Sequence, residues 1–442
     1  MDSQQRTHRL KGNIIVILIL KGISILISLM YVPLLLGSMD TDNYAVWLTL
    51  TSLVSWIALF DIGLGNGLRN RLSETLAKND ITQSKKYIST AYCGVIIVAM
   101  FLFISFLIAS PFMDWARILN TDTIPLESLS LLVAIVFCSF LLNFVFGLIN
   151  SILYAVQYPA ISTVITFVGQ VVSFFTVCCL VKLYSISDIV TLGIIISIVP
   201  PIVYLLFTVI LFNSKLKYLK PSYQLIDFSI IREILTLGFK FFCLQIITII
   251  LFQTNNIIII HAVNQEAVVI YNILYKYLYI LVTVFAMICA PIWSATTEAY
   301  VKGDYKWIVQ IKNKLLKISA LFISAGFLMV VFSKYAFAMW LGDECPVIDM
   351  DETFLMFVYC AFMILYSVYG YIINGIGKLM LQLCVTSVLA IIYLPIAYCL
   401  GIELGLRGIL ITMCFIGAFN YLWSELQLSR LLRGTAKGIW NR

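Results

Sequence analysis

The segment Glu74–Asp80, with the sequence ETLAKND, returns 224 residues later as Glu298–Asp304, with the sequence EAYVKGD. Glutamate, lysine and aspartate keep the same spacing in both copies, and each copy connects two long apolar runs. A second match at the same offset relates Leu148–Asn150 (LIN) to Ile372–Asn374 (IIN). Repeats of this kind in a membrane chain indicate two equivalent helix bundles with a binding site between them. The offset predicts an N-terminal six-helix bundle over 1–218 and a C-terminal six-helix bundle over 219–442.

The composition places the chain in a membrane. It is 62% hydrophobic and only 12% charged, which excludes a soluble or disordered protein. A membrane-spanning helix needs about 20 apolar residues, and twelve runs approach or exceed that length. They cover residues 12–36, 43–61, 87–110, 127–150, 160–183, 188–213, 234–258, 267–293, 313–333, 353–374, 379–401 and 406–428. The first run is too long for the core of a signal peptide, so we expect a retained helix. The sequence therefore predicts an all-α polytopic membrane protein with twelve transmembrane helices.

The basic residues predict the orientation of these helices. Of the 29 Lys and Arg residues, 22 fall in the two tails and in connections on one side of the membrane. Only four lie on the opposite side, namely Arg117, Lys182, Lys334 and Arg407. By the positive-inside rule, this asymmetry puts both termini in the cytoplasm. The basic face is explained by topology and by anionic headgroups, so no nucleic-acid partner is expected.

The cysteines and histidines argue against disulfides and metal sites. Ten of the 11 cysteines lie in predicted spans, where cysteine behaves as a small apolar residue. Only Cys345 lies in a connection. His8 and His261 are the two histidines, and no Cys-x-x-Cys occurs. The sequence therefore predicts no disulfide framework, no bound metal and no cofactor.

Of the 29 basic residues, three lysines remain that are assigned to neither side of the membrane, namely Lys21, Lys240 and Lys276. A lysine at the centre of a span costs roughly 2.5–3.5 kcal/mol on insertion scales, so such residues usually face a polar cavity. We expect this of Lys21 and Lys276. Lys240 has the alternative of extending its long side chain to the cytoplasmic interface.

Polar residues accompany two of these lysines at helical spacing. Lys276 shares one stripe with Asn272, Tyr279 and Thr283, and Lys21 shares another with Ser24 and Ser28. Four tyrosines surround Lys276 in sequence, at positions 271, 275, 277 and 279. Aromatic rings beside a cation suit sugar stacking and phosphate pairing. Hydrogen bonds between packed helices are the alternative explanation for the hydroxyl groups.

Acidic residues are scarce inside the predicted spans. Asp61 and Glu425 lie near span ends, and Glu403 lies close to the outer surface. Ion- and proton-coupled exporters usually place a carboxylate deep in a span. A cavity with more cations than anions favours an anionic substrate.

Two motifs carry a family resemblance. The segment Asp61–Glu74, DIGLGNGLRNRLSE, follows the second predicted span, and its alternate glycines let a helix end approach another backbone closely. Together with Pro291–Trp307, PIWSATTEAYVKGDYKW, and the twelve-span layout, this segment resembles the Wzx-type O-antigen flippases of polysaccharide biosynthesis. The resemblance extends over nearly the whole chain. The chain lacks the two additional helices expected of many lipid II flippases.

The resemblance implies a fold and a set of site residues. The fold is that of the multidrug/oligosaccharidyl-lipid/polysaccharide exporters, in which two pseudo-symmetric six-helix bundles surround a central cavity lined by helices 1, 2, 7 and 8. Two further basic residues, Arg69 and Arg71, follow the glycines on the cytoplasmic side, where they would contact an acidic headgroup. The predicted substrate-binding residues are Lys21, Asp61, Arg69, Arg71, Lys240, Asn272, Tyr275, Lys276 and Tyr279.

The resemblance also implies an activity. It indicates a flippase that moves an undecaprenyl-diphosphate-linked oligosaccharide repeat unit to the outer leaflet of a bacterial inner membrane by alternating access. No bond is made or broken, so the protein is not an enzyme. The expected partners are this lipid-linked substrate, membrane lipids and other polysaccharide-assembly proteins, and the chain is expected to act as a monomer.

Two other functions are compatible with parts of the sequence. A cation-coupled multidrug exporter has the same fold, but lysines stand here where carboxylates would be expected. A membrane polymerase or acyltransferase of polysaccharide assembly is the other alternative. A polymerase typically has a large outer loop, and an acyltransferase needs a histidine-based site, for which His261 is the one candidate near the membrane.

The repeated segments predict a cytoplasmic gate. Both lie on the same face of the membrane, and each carries acidic and basic side chains. The predicted gating residues are Asn66, Glu74, Asp80, Glu298 and Asp304. The acids would pair across the gap with Arg69, Arg71 or Lys302, although loop capping is an alternative role for them. Exposed ion pairs contribute about 0–1 kcal/mol each, so several would have to act together.

Cysteines introduced at Arg71 and Glu298 should test this gate. In a background without the native cysteines, we expect crosslinking of the double variant to trap one state and stop transport. Each single-cysteine variant serves as the control. Absence of a crosslink, or transport that survives it, would place the gate elsewhere.

Overall fold

The computed structural model describes residues 3–36, 38, 46–47, 50, 63–119, 121, 124–186, 188–341 and 347–441. Fifteen α-helices and no strand lie in these residues. The helices are α1 (Ser3–Leu36), α2 (Leu64–Ala77), α3 (Ile81–Ala109), α4 (Trp115–Leu119), α5 (Leu126–Phe146), α6 (Leu148–Ala155), α7 (Pro159–Tyr184), α8 (Ile189–Asn213), α9 (Phe228–Ala262), α10 (Gln265–Val301), α11 (Tyr305–Val331), α12 (Ser333–Leu341), α13 (Met350–Ile376), α14 (Met380–Leu404) and α15 (Leu406–Leu432).

Many of these helices have the length and apolar composition of membrane-spanning segments. Within the described part of the chain, nine helical segments are long and apolar enough to cross a bilayer. This confirms the predicted all-α polytopic membrane protein. The count of twelve spans stays a prediction, since the second predicted span, 43–61, lies almost wholly outside the described residues.

The chain divides into two compact units. One contains Thr7–Phe239, and Lys240–Arg442 makes up most of the other. The division falls inside α9, whereas the sequence repeat predicts bundles over 1–218 and 219–442. We refer below to the N-terminal unit and the C-terminal unit by the observed ranges, and the repeat-based boundary stays a prediction.

The order of the helices repeats at the offset seen in the sequence. Helix α3 begins at Ile81 and α11 at Tyr305, while α5 begins at Leu126 and α13 at Met350. Both pairs of helix starts differ by 224 residues. The start of two helices in each half thus follows the sequence repeat, while the two equivalent six-helix bundles stay a prediction.

The repeated segments form the same turn in each half. The amides of Lys78 and Lys302 donate to glutamate carbonyls four residues earlier, at 3.2 and 3.1 Å. The next residues, Asn79 and Gly303, have left-handed φ angles of 59° and 70°. The amides of the aspartates then donate to carbonyls five residues back, at 3.0 and 2.8 Å. This hydrogen-bond pattern is a Schellman turn that ends one helix of each half.

The same aspartates begin the next helices. Asp80 Oδ1 accepts from the backbone amide of Gln83 at 2.9 Å, and Asp304 Oδ1 accepts from that of Trp307 at 3.1 Å. A capping carboxylate of this kind stabilises a helix by about 0.5–2 kcal/mol. The two segments therefore share the spacing of lysine and aspartate because one helix ends at the lysine and the aspartate caps the start of the next.

Helix α10 is longer than the sequence analysis predicted. The predicted eighth span ended at residue 293, but the helix continues to Val301. Every residue from 291 to 299 is buried. Ser294, Thr296 and Thr297 in this stretch therefore belong to a packed helix, and Thr297 Oγ1 donates to the carbonyl of Gly375 on α13 at 2.7 Å.

Glycines bring α2 against the first turns of α9 inside the N-terminal unit. A Cβ atom at Gly67 would lie 2.4 Å from the carbonyl oxygen of Ile234, and one at Gly63 would lie 1.9 Å from that of Gly238. Gly63 also has a φ angle of 68°. The two backbones approach too closely for any side chain, as the alternate glycines indicate. The leucine face of α2 completes this core with Leu64, Leu68 and Leu72, each at most 1% exposed.

Substitution Gly67→Ala should destabilise the protein because it overpacks this contact. Overpacking of a dense core typically costs about 1–3 kcal/mol. The matched control is Gly22→Ala in α1, where no atom of the described residues lies within 4 Å of the added Cβ. We expect a lower midpoint of thermal unfolding in detergent for Gly67→Ala only. Equal midpoints for the two variants would contradict the packing argument.

Candidate functional site

Tyrosines form a stacked column along α10. The rings of Tyr271 and Tyr275 lie 5.9 Å apart between centroids with an interplanar angle of 30°, and those of Tyr275 and Tyr279 lie 4.4 Å apart at 16°. Their spacing of four residues places them on one side of the helix. Tyr271 is buried, while Tyr275 and Tyr279 are half-buried. The column therefore presents partly accessible aromatic surface.

Tyr277 does not belong to this column. Its hydroxyl donates to the carbonyl of Met329 on α11 at 3.0 Å, and its ring packs edge-on against Phe337 at 4.9 Å. The expectation that four tyrosines encircle Lys276 is wrong for this residue. A single position along a helix turns a side chain by about 100°, which carries Tyr277 to the neighbouring helix.

Asparagines connect the column to neighbouring helices. Buried Asn255 on α9 donates from Nδ2 to the Tyr271 hydroxyl at 2.8 Å, and it accepts a hydrogen bond from Tyr393 on α14. Asn272 donates to Asn256 Oδ1 at 3.1 Å and to the Val268 carbonyl at 2.8 Å. These bonds fix α9 and α10 side by side. Part of the predicted polar stripe is thus used in helix packing.

The side chain of Lys276 is exposed on α10. Those of Ile280 and Thr283, further along the helix, are exposed as well. Lys276 follows Gln265 by eleven residues, which is about 16 Å along a helix. Lys276 is therefore placed deep along an apolar helix, and Tyr279 of the column follows it by three residues, which is the spacing of neighbouring side chains on a helix surface. A cation near aromatic rings is a suitable arrangement for an anionic sugar derivative.

Lys21 lies half-buried on α1, near the contact between α1 and α7. In that contact, Gln170 Nε2 donates to the Ser24 carbonyl at 2.9 Å and to Ser28 Oγ at 3.3 Å. The predicted stripe of Lys21, Ser24 and Ser28 therefore meets a polar residue of α7. The sequence analysis missed Gln170, although a lone amide in the middle of an apolar run was a usable signal.

Of the two remaining predicted site residues, Lys240 and Asp61, the structure describes only Lys240. Lys240 is half-buried in α9, at the first residue of the C-terminal unit. Asp61 lies outside the described residues.

Arg69 and Arg71 lie on α2 inside the N-terminal unit. Arg69 is only 7% exposed, and its guanidinium carbon lies 4.5 Å from the centroid of the Tyr154 ring. A cation over an aromatic face contributes about 0.5–2 kcal/mol. Arg71 Nη1 lies 2.9 Å from Glu74 Oε2 on the same helix. Both arginines thus have partners within α2 and α6 in this structure.

A second acidic residue lies close to Arg71. Burial acts to lower the pKa of the Arg71 guanidinium, but the charge and hydrogen bond of Glu74, with smaller contributions from Tyr87 and Glu233, outweigh it and raise that pKa. The Tyr87 hydroxyl donates to Glu233 Oε2. Arg71 therefore stays charged between two carboxylates, a contact between α2, α3 and α9 that the sequence did not reveal.

The predicted gating residues have local partners. Glu74 pairs with Arg71, and Glu298 Oε1 lies 2.8 Å from Lys302 Nζ one turn along α10. Asp80 and Asp304 cap the helices α3 and α11. Asn66 is half-buried in the first turn of α2. In this structure, Asp80 and Asp304 cap helices, and Glu74 and Glu298 each pair with a basic side chain of the same segment. The cytoplasmic gate stays a prediction.

Comparison with known proteins identifies relatives over most of the chain. A candidate O-antigen export protein of Yersinia pseudotuberculosis is 24% identical over 321 residues, covering 71% of this chain and 69% of that protein. A candidate O-antigen transporter of Salmonella typhimurium is 21% identical over 423 residues, covering 92% of this chain and 93% of the relative.

Solved structures share the fold. A multidrug-resistance MATE-family transporter of the MOP superfamily, in its outward-facing conformation, superposes with a TM-score of 0.79. The two chains are 15% identical, and the match covers 98% of each. This similarity establishes the exporter fold implied by the sequence motifs.

A family model also matches the chain directly. The model described as polysaccharide biosynthesis protein covers residues 10–296. The match includes the glycine motif of α2 and the first of the two repeated turns, and it ends within α10. The chain therefore belongs to the polysaccharide biosynthesis protein family.

Proposed function

We propose that this membrane protein is a flippase for lipid-linked oligosaccharides. It moves an undecaprenyl-diphosphate-linked repeat unit from the cytoplasmic to the outer leaflet of the bacterial inner membrane by alternating access. Both termini lie in the cytoplasm. The observation that carries this proposal is the family match over 10–296, supported by O-antigen transport relatives that extend over 92% of the chain.

The chemistry of α10 supports an anionic substrate. Lys276 is exposed on a transmembrane helix and adjoins the column of Tyr275 and Tyr279. Placing a cation at this depth is unfavourable unless it faces water or a counter-ion. A diphosphate would provide that counter-ion, and the tyrosine rings would provide a surface for a sugar. The lipid tail would stay in the bilayer.

The protein carries out transport without chemistry on the substrate. Its relatives are named for export and transport. Among the described residues, no group of three His, Cys, Asp or Glu side chains is placed to hold a metal ion. The substrate and membrane lipids are the proposed partners, with other polysaccharide-assembly proteins acting before and after the flip.

A multidrug exporter is the second candidate, because a MATE-family transporter has the same fold. That similarity is at 15% identity and concerns the fold alone. The two candidates differ in the charge of the substrate. A multidrug exporter should confer resistance to organic cations, whereas a flippase should restore a surface glycan in a strain that lacks its own flippase.

Substitution Lys276→Ala should reduce surface glycan in such a complemented strain by about tenfold, equivalent to the 1.4 kcal/mol expected from loss of one charged hydrogen bond. The conservative variant Lys276→Arg should retain most of the export. Lys306→Ala on α11 is the control, since it removes an exposed lysine in the predicted cytoplasmic connection before the span 313–333. Membrane abundance of all three variants is measured by immunoblotting. Full export by Lys276→Ala would exclude a role in holding substrate.

Tyr275 gives a separate test of the aromatic surface. The variant Tyr275→Phe keeps the ring and should export normally, while Tyr275→Ala should lose export several-fold through removal of the stacking surface. Glycan is quantified as for the lysine variants. If the phenylalanine variant is as defective as the alanine variant, the hydroxyl group rather than the ring is required.

A further inference from the structure

The N-terminal unit contains a cavity of about 540 Å³. It lies among α1, α7 and α8, with Trp47 also contributing to its wall. The lining residues of α7 run from Ile165 to Ser173, and those of α8 run from Ile196 to Tyr204. Both stretches occupy the middle of helices that cross the membrane. The cavity is therefore at mid-membrane depth, within a single unit of the protein.

The wall of this cavity is largely apolar and aromatic, with a few hydrogen-bonding side chains and, among the described residues, no charged one. Its aromatic residues are Tyr31, Trp47 and Tyr204, and its hydrogen-bonding side chains include Gln170 and Thr166. Among the described residues that line it, none is Asp, Glu, Lys, Arg or His. A bound cation or diphosphate would find no counter-charge here. An uncharged ligand with many hydroxyl groups matches both the aromatic faces and the amide and hydroxyl groups.

Several of these side chains are held in position. The Tyr31 hydroxyl donates to Ser173 Oγ at 3.0 Å, and Gln170 is fixed by its bonds to α1. The Tyr204 hydroxyl lies 3.0 Å from Thr166 Oγ1, and it accepts from Asn150 Nδ2 at 3.0 Å. Groups held by neighbours lose little freedom when a ligand binds, which is the usual basis of preorganised recognition.

Two prolines add a backbone feature on the same wall. Pro200 and Pro201 lie inside α8. Proline has no amide hydrogen, so the carbonyls of Ile196 and Ser197 lose their α-helical donors. Ile196 and Pro200 both line the cavity. Non-helical hydrogen bonding at membrane depth is tolerated where it is buried in protein or faces a water-filled cavity, and proline-interrupted spans often mark transporter binding sites.

We propose that this cavity binds an uncharged sugar ring of the transported oligosaccharide. The inference rests on the proposed flippase function and adds a site for the glycan, separate from the cation on α10. The space equals on the order of eighteen waters at 30 Å³ each, well above a single structural water. The rings of Tyr31, Trp47 and Tyr204 suit the apolar face of a sugar ring. The hydroxyl groups of the sugar would bond to the acceptor oxygens of Thr166 and Gln170, which a lipid tail would not use.

Two ligands distinguish sugar recognition from headgroup recognition. The probes are undecaprenyl diphosphate without sugar and undecaprenyl diphosphate carrying the complete repeat unit of the encoding strain. Binding of each to the full-length protein in lipid nanodiscs is measured. Wild-type protein should bind the glycosylated lipid more tightly than the bare lipid, since only the former reaches the cavity.

The variants Thr166→Val and Gln170→Met remove hydrogen-bonding groups from the wall with little change in volume. Each should weaken binding of the glycosylated lipid by about three- to tenfold, the effect of losing roughly one hydrogen bond, and leave the bare lipid unaffected. The matched control is Thr176→Val, which removes a half-buried hydroxyl from the same helix at a position outside the lining residues of the cavity. Size-exclusion chromatography checks that each variant is folded.

The outcomes separate this inference from the function on which it rests. If wild-type protein binds neither lipid, the proposed flippase function is rejected, and the sugar site is rejected with it. If wild-type protein binds both lipids and Thr166→Val and Gln170→Met behave like Thr176→Val, the sugar site is overturned and the function stands. Equal losses for the two lipids would also overturn the sugar site.

Discussion

Inside a membrane, the polar groups of this chain have no water to hydrogen-bond to. Much of its architecture therefore depends on the hydrogen bonds that these groups make within the protein. Buried Asn255 joins α9, α10 and α14 through two tyrosine hydroxyls. Gln170 joins α7 to α1 through a carbonyl and a hydroxyl. Each polar side chain inside a span must bond to another helix or face a cavity, because an unpaired group costs several kcal/mol in hydrocarbon. Helix packing and the lining of cavities are therefore two uses of the same small set of residues.

The repeated turns show which part of a duplicated segment is constrained. The helix-ending turn and the aspartate cap are the same in both halves. The ion pairs differ, because Glu74 bonds to Arg71 whereas Glu298 bonds to Lys302. Ala295 occupies the position equivalent to Arg71, so the pairing of Glu74 with Arg71 has no equivalent at Glu298. Local backbone geometry preserves the aspartate, while the partner of the glutamate has changed between the halves.

The sequence predicted most of the helices because a bilayer requires long apolar runs. The predicted span 160–183 is α7, Pro159–Tyr184, and the predicted span 406–428 lies within α15. The sequence failed where hydropathy does not determine structure. Residues 294–299 are polar enough to be taken for a connection, yet they form a buried end of α10 that packs on α13. Burial of polar side chains depends on partners from distant helices, and a single sequence does not reveal them.

The predicted site was only partly recoverable for a related reason. Helical spacing predicted a stripe that includes Lys276 and Thr283, and both side chains are exposed on α10. It could not show that Tyr277 bonds to α11 or that Arg69 is held against Tyr154. These contacts depend on the rotation of each helix against its neighbours, which hydrophobic periodicity defines only coarsely.

The placement of charge bears on how such a protein would release its substrate. A carrier must bind its cargo in one state and let it go in the other, so very strong interactions would slow the cycle. In a flippase of the proposed kind, Lys276 would contact the charged headgroup, and the uncharged cavity would contact the glycan through aromatic rings and a few amide and hydroxyl groups. Each neutral hydrogen bond would contribute about 0.5–1.5 kcal/mol, so no single contact would be strong. Under the proposed function, the sum of these contacts would select the substrate while each would remain easy to break.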